Sequence, residues 1–251
     1  MPNTADALRT IDAVRNPARR DSRRRFFASM SVAIAITVFF GFAPTFYLRT
    51  YFHPEPLPWL LVLHGLVFSS WIILLLVQTT LVAASRTRLH KRLGIAGAVL
   101  AVLVVLVGIS TAILRANVDA ATRSAALAFL TIPLGDMFVF SVLVGCAFAF
   151  RRRVEVHRRV MVLATITILP AAVARLPLEF VFRIHPLAVF ALSDLFVVPL
   201  FVYDCIRRGR PHRATVLGSL LLVISHPLRF VIGNTHVWLV FANWLVSWKT
   251  R

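Results

Sequence analysis

Long apolar runs alternate with short polar stretches along almost the whole chain. The runs cover residues 26–48, 59–84, 93–114, 124–150, 160–176, 187–206 and 215–232. Each is close to or above the roughly 18 residues that carry a helix across a ~30 Å hydrocarbon core. The pattern predicts an all-α, polytopic membrane helical bundle of seven transmembrane helices. Three of the polar stretches are alike: SRTRLHKRLG at 85–94, RRRVEVHRRVM at 151–161 and RRGRPHRATVLG at 207–218. Each sets a histidine among cations just before an apolar run. The chain therefore divides into three sequential helix hairpins plus a leading helix. Gly233 and Asn234 break the last run. Residues 236–248 either continue the seventh span or form a short Trp-bearing helix at the membrane surface.

Charge changes this picture by adding an orientation. Residues 1–25 form a basic tail with seven arginines, and residues 26–248 form the transmembrane domain. The first run is too long for the apolar core of a cleavable signal and is read as a signal anchor. The tail and the three histidine loops together hold twenty Lys and Arg, and the opposite ends of the spans hold six. The positive-inside rule then places the N-terminus and all three loops in the cytoplasm of a bacterial cytoplasmic (inner) membrane, with the C-terminus periplasmic. The expected partners are the lipid bilayer and, at the cytoplasmic loops, its anionic headgroups. A charge of +18 also fits nucleic-acid binding, but here the cations are spread over short inter-helix loops, so no nucleic acid is expected. Only 15% of residues are charged and 59% are hydrophobic, against about a quarter charged in soluble domains. Cys146 and Cys205, near the basic ends of spans, read as reduced packing residues.

Ionisable side chains inside spans carry the chemistry, because a charge at membrane depth is costly unless paired or hydrated. Asp136, Arg175, Asp194 and Arg229 fall in the fourth to seventh spans. At 1.5 Å of rise per residue, all four lie roughly 20–25 Å from the cytoplasmic ends, in one layer of the outer half. Hairpin neighbours should let Asp136 pair with Arg175 or Arg229, and Asp194 with the other. His226 lies one turn inward of Arg229. His64 lies nearer the outer surface, above Ser69, Ser70 and Trp71. Pro170 and Pro227 loosen their helices at this depth. Two readings follow: an ion-pair network that fixes helix register, or a polar site formed by His64, Asp136, Arg175, Asp194, His226 and Arg229. Gln78 and Asp204 read as packing or capping residues. No protein-ligated metal site is expected, since zinc-helix, desaturase-box and paired-cysteine spacings do not occur.

The loop histidines His90, His157 and His212 stand at the entries of the third, fifth and seventh spans. Such histidines contact headgroups or cap loops. Alternatively, His90 and His157 share a depth on alternate helices and suit the axial ligation of a b-type haem, the one candidate cofactor.

Gln78, then LHKRLG at 89–94, then HRRVM at 157–161, then Arg175, resembles an uncharacterised family of bacterial predicted multi-pass membrane proteins. That family has a span ending near Gln, an L-H-R-x-L-G helix start, an H-R-R-W-M helix start and a following in-span Arg. The likeness covers about residues 60–176, with Val160 where the family often has Trp. The L-H-x-x-L-G piece is also similar to a helix start in the ascorbate-reducible cytochrome b family. There it carries a haem-ligand histidine, which implies the same role for His90. That family uses two histidine pairs, and this chain has one pair at a shared depth. The expected function is an integral membrane protein with a polar intramembrane site for a small polar ligand or protons. The alternatives are a haem-binding electron-transfer protein and a non-catalytic assembly subunit.

Overall fold

The computed structural model describes residues 17–53, 55–116, 122–178, 185 and 187–247. The start of the tail, Glu179, Arg183 and residues 248–251 lie outside them. Seven helices are long and apolar enough to cross a membrane: α1 Arg24–Tyr47, α2 Trp59–Ala83, α3 Thr87–Leu114, α4 Arg123–Ala149, α5 Val154–Val173, α6 Ala188–Arg208 and α7 Arg213–Gly233. The chain is thus an all-α, multi-pass membrane bundle, with no strand among the described residues. The first helix begins at Pro17, inside the stretch expected to be tail. The third and fifth start about one and a half turns earlier than their apolar runs. His90 and His157 are therefore helical residues, not loop residues. Arginine and lysine are good helix formers, so hydropathy alone misplaces these starts.

Prolines interrupt four spans. Pro44 lies in a π-helical turn at the end of α1, and Pro133 follows a break at Leu130 in α4. Pro170 restarts α5 after Ile168–Leu169, and Pro199 follows a 3-10 turn at Leu195–Val197 in α6. Each lacks the N–H that would continue the ladder.

α2 packs on α3, and α4 on α5, as hairpins should. α1 runs along α2 and crosses the far end of α5. That crossing is close: a Cβ on Gly41 would sit 2.3 Å from the Ala172 carbonyl oxygen. The last hairpin behaves differently from expectation. α7 packs mainly on α4 and α5, and only slightly on α6. The reason is its buried face, Thr215, Gly218, Ser219, Leu222, His226, Arg229 and Gly233, which repeats at helical spacing. Small residues on that face admit neighbours: Gly218 abuts Leu163 of α5 and Leu143 of α4. Residues 236–247 do not continue α7. They form α8 (His236–Ser247), which packs on the start of α4, where Trp238 Nε1 donates to the Leu127 carbonyl at 2.8 Å. Cys146 and Cys205 are exposed and do not fill the core.

The basic loops share one end of the bundle, and that end is tied by a buried ion pair. Arg159 of α5 and Asp204 of α6 are 1% and 0% exposed. Arg159 Nε donates to Asp204 Oδ1 at 3.0 Å, and Nη2 donates to the same oxygen. Nη1 donates to the Glu155 carboxylate at 2.7 Å and to the Glu155 carbonyl at 2.8 Å. Asp204 Oδ2 accepts the Thr215 hydroxyl at 2.5 Å and the His212 backbone N–H at 3.0 Å. Asp204 therefore does act as a cap, on the start of α7, but it is also half of a charge pair. Arg158 closes the cluster: it donates to Glu155 and lies over the Phe27 ring of α1, 4.6 Å from its centre.

His212 is the N-cap of α7, its Nδ1 accepting from the Ala214 N–H at 3.0 Å.

Two outcomes follow from this end of the bundle. Asp204→Asn leaves the Arg159 charge enclosed, and loss of one partner of such a pair costs about 3–5 kcal/mol. Thermal unfolding in detergent should show a clear drop, larger than for Arg159→Met combined with Asp204→Leu. The second outcome concerns pH. Partial burial first, then the Arg159 and Arg208 charges, hold the His212 pKa below the usual histidine value. The unfolded chain then takes up a proton before the folded one does. The cap's contribution is complete above the ordinary histidine pKa of about 6.5 and is lost as pH falls below it. Melting curves from pH 7.5 down to 5 should show the wild type losing stability relative to His212→Asn, which caps without titrating. His212→Ala should cost about 1 kcal/mol at pH 7.5.

Candidate functional site

At the opposite end from the basic loops, α4, α6 and α7 bring four ionisable side chains into one layer. Arg229 of α7 donates through Nη1 to Asp136 Oδ1 of α4 at 2.5 Å. Its Nη2 donates to Ser225 Oγ, one turn back, at 3.1 Å. His226 Nδ1 lies 3.2 Å from Asp194 Oδ2 of α6. Phe190 of α6 sits between the two pairs, its ring 4.4 Å from the His226 ring and 5.8 Å from the Arg229 guanidinium. Asp136, His226 and Arg229 are 7%, 2% and 4% exposed.

Local sequence explains how Arg229 reaches Asp136. Its stem crosses Gly135, where an added Cβ would lie 2.6 Å from Arg229 Nε and 2.9 Å from Cδ. Gly135 and Asp136 thus act together, the glycine clearing the path and the acid receiving the charge. His226 and Arg229 are three residues apart and so share a face of α7. Pro227 lies between them inside the helix.

The layer has unused hydrogen-bonding capacity. Arg229 Nε, His226 Nε2 and Asp194 Oδ1 are all buried and have no protein partner. Buried polar atoms are usually satisfied, and each exception calls for a physical reason. Beside them, a groove of about 390 Å³ runs between α4 and α7, lined mainly by apolar residues such as Phe138, Ile224 and Leu228, with Ser225 and Arg229 among them. Phe138, Ile224 and Leu228 are exposed on the apolar face of the bundle, so the groove opens on its lipid-facing side.

Of the six residues expected to form the polar site, four meet and two do not join them. Arg175 is exposed, donates to the Ala171 carbonyl of its own helix and lies over the Phe42 ring, 4.6 Å from its centre. It is not the partner of either acid. α5 ends at Val173, so Arg175 falls in the turn beyond it and not on a continuing helix. Asp194 pairs instead with His226. His64 stacks on Phe68 at 4.1 Å, and its buried Nδ1 has no protein partner. Below it, Trp71 Nε1 donates to Thr165 of α5 at 3.2 Å and Ser69 bonds Tyr47 at 2.8 Å.

The two candidate haem ligands do come together. His90 and His157 have ring centres 6.4 Å apart and ring planes at 75°. Ser225, Phe190 and Gly135 complete the α4–α6–α7 layer but carry no sequence signal of their own. Glu155 at the basic end did carry one, as the acid in RRRVEVHRR, three and four residues before Arg158 and Arg159.

Compared with family models, curated proteins and solved structures, the chain matches none.

The Asp136–Arg229 pair yields a thermodynamic cycle. Asp136→Asn or Arg229→Gln alone should destabilise by about 3–5 kcal/mol, and the double variant by less than the sum. Gly135→Ala should mimic the single variants by pushing Arg229 aside, while Gly145→Ala, whose Cβ would meet nothing within 4 Å, should be near neutral. Unfolding in detergent reads all five.

Proposed function

We propose that this chain is a multi-pass protein of the bacterial cytoplasmic membrane whose α4–α6–α7 layer is a polar site for a small polar ligand or protons. The N-terminus and basic loops face the cytoplasm, the C-terminus faces the periplasm, and the layer lies in the outer half of the bilayer. The likeness of residues 60–176 to the uncharacterised bacterial membrane family belongs to the same proposal. One observation carries the reading: a guanidinium nitrogen, an imidazole nitrogen and a carboxylate oxygen are buried in one layer with no protein partner. A purely structural pair would have its donors and acceptors spent on one another. Here at least one donor and one acceptor remain for a ligand that offers both. The groove beside Arg229 supplies a lateral approach. The charge asymmetry of the loops supports the orientation.

Cysteine accessibility tests site and orientation together, in a background with Cys146 and Cys205 replaced by Ala. Methyl methanethiosulfonate, which is small, neutral and membrane-permeant, should modify Ser225→Cys, and an impermeant sulfonated thiosulfonate added to intact cells should spare Arg152→Cys in the second basic loop. Ser225→Cys that the permeant reagent leaves unmodified leaves only a structural network and ends the site reading. Modification of Arg152→Cys from outside overturns the orientation.

A further inference from the structure

The groove between α4 and α7 has a direction. Along α7 it runs from Leu220 to Ile232, roughly 18 Å of helix. Its polar side chains are Ser225 and Arg229, and the rest of its lining is apolar or glycine. Arg229 stands one turn before the end of α7 at Gly233, about 6 Å from it. Leu220 lies about 13 Å the other way, toward the middle of the membrane. The groove therefore has a polar end near the far surface of the bundle and an apolar arm that reaches inward. A single-chain amphiphile of that leaflet lies the same way, its head toward the surface and its chain toward the bilayer centre. Volume agrees, since about 390 Å³ drawn out over this length is a slot for one chain.

The polar end narrows the chemistry of the head. Arg229 Nε is buried with no protein partner. A Cβ at Gly135 would lie 2.6 Å from it, and Gly135 also lines the groove. At this level α4 thus sets only bare backbone beside the donor. The hydroxyl of Ser225 is already spent, donating to the Leu222 carbonyl at 2.7 Å. The group left for a ligand is an N–H. Its charge is answered by Asp136, so the pair is neutral. A carboxylate or phosphate head would bring an unbalanced negative charge to a buried position, at a high desolvation cost. An uncharged acceptor takes the free N–H without that cost.

We propose that the groove holds the chain of a neutral amphiphile whose head carbonyl accepts from Arg229 Nε. The assignment rests on the reading of the layer as a ligand site and names the class of that ligand. The ester carbonyl of a membrane lipid and the ring carbonyl of a long-chain quinone share this chemistry.

The full-length protein is washed free of lipid in detergent and placed in nanodiscs of ether-linked phosphatidylcholine, a bilayer without ester carbonyls. Three probes with the same diazirine-bearing alkyl chain are added in turn: a methyl ester, the free acid at alkaline pH, where it is ionised, and the plain alkane. After irradiation, labelled peptides are mapped by mass spectrometry. The ester should label the Leu220–Ile224 stretch saturably, and the acid and the alkane should label without saturation. Unlabelled methyl ester and an unlabelled alkyl quinone are then added as competitors, and the stronger one identifies the source. Arg229→Lys keeps a cation for Asp136 but lacks Nε, and should weaken saturable labelling roughly tenfold or more, as for one hydrogen bond to a charged donor. Leu220→Trp, at an exposed position, fills the arm and should abolish it. Melting monitors folding, and should Arg229→Lys misfold, Leu220→Trp and the acid probe decide. Ester labelling that does not saturate, that the acid or the alkane matches, that neither competitor reduces, or that survives the substitutions overturns the proposal. Unsaturable labelling beside a reactive Ser225→Cys removes the amphiphile and leaves the layer as a site, so the two failures are distinct.

Discussion

Arg159 is 1% exposed, so its five N–H donors must be answered from inside the protein. Charge attraction alone does not offset the desolvation of a buried pair; good geometry and further hydrogen bonds are needed. Asp204 meets one side of the guanidinium, and Glu155 meets the other with both its carboxylate and its carbonyl. The remaining carboxylate oxygen of Asp204 is taken by Thr215 and the His212 N–H. Satisfying one arginine therefore fixes α5 against α6 and sets the start of α7. The Arg158 contact with Phe27 extends the tie to α1. Three spans meet at one end because Arg159 cannot reach water, and Arg158 brings in the fourth.

The α4–α6–α7 layer obeys the same constraint less completely. Arg229 has one strong partner in Asp136 and a second in Ser225, and its Nε has none. The Asp194–His226 contact uses one atom from each side chain and leaves the other atom buried. A network that only locks helices gains most when its donors find acceptors; each Arg159 nitrogen has one, while Arg158 Nε beside it has none. Unspent capacity in a buried layer has a stability cost, and such costs are typically met where a site needs them. The two ends thus differ at their central arginines: each Arg159 nitrogen has a partner, while Arg229 Nε has none.

The spans were legible because each apolar run is long enough to cross a bilayer by itself. Their basic-end boundaries were not, because Arg88, Lys91 and Arg92 belong to α3 while hydropathy counts them as loop. Depth along the helix correctly brought Asp136 to Arg229, since both lie on spans that stay helical to that level. It failed for Arg175, because α5 ends before that residue. Asp194 then turns to His226, a residue placed in the layer from sequence but without a named partner. The Arg159–Asp204 pair was the least legible. Counting charges for orientation treats every arginine in a basic loop as solvated, and nothing local marks the one that turns inward. Its partner lies 45 positions away, on the hairpin that follows.

α7 links the two ends. Its cap sits in the Asp204 cluster, and its His226 and Arg229 form half of the outer layer. Between them the buried face is Gly218, Ser219 and Leu222, small or aliphatic groups packed on α4 and α5. Polar contacts thus hold the helix at its two ends, and its middle is held by shape. Pro227 stands at the outer of these anchors, where the helix lacks one backbone donor. The backbone ladder of α7 therefore has a missing donor beside His226. That gap puts a weak point of the ladder at the layer, while the Arg159 cluster holds the other end of the helix in place.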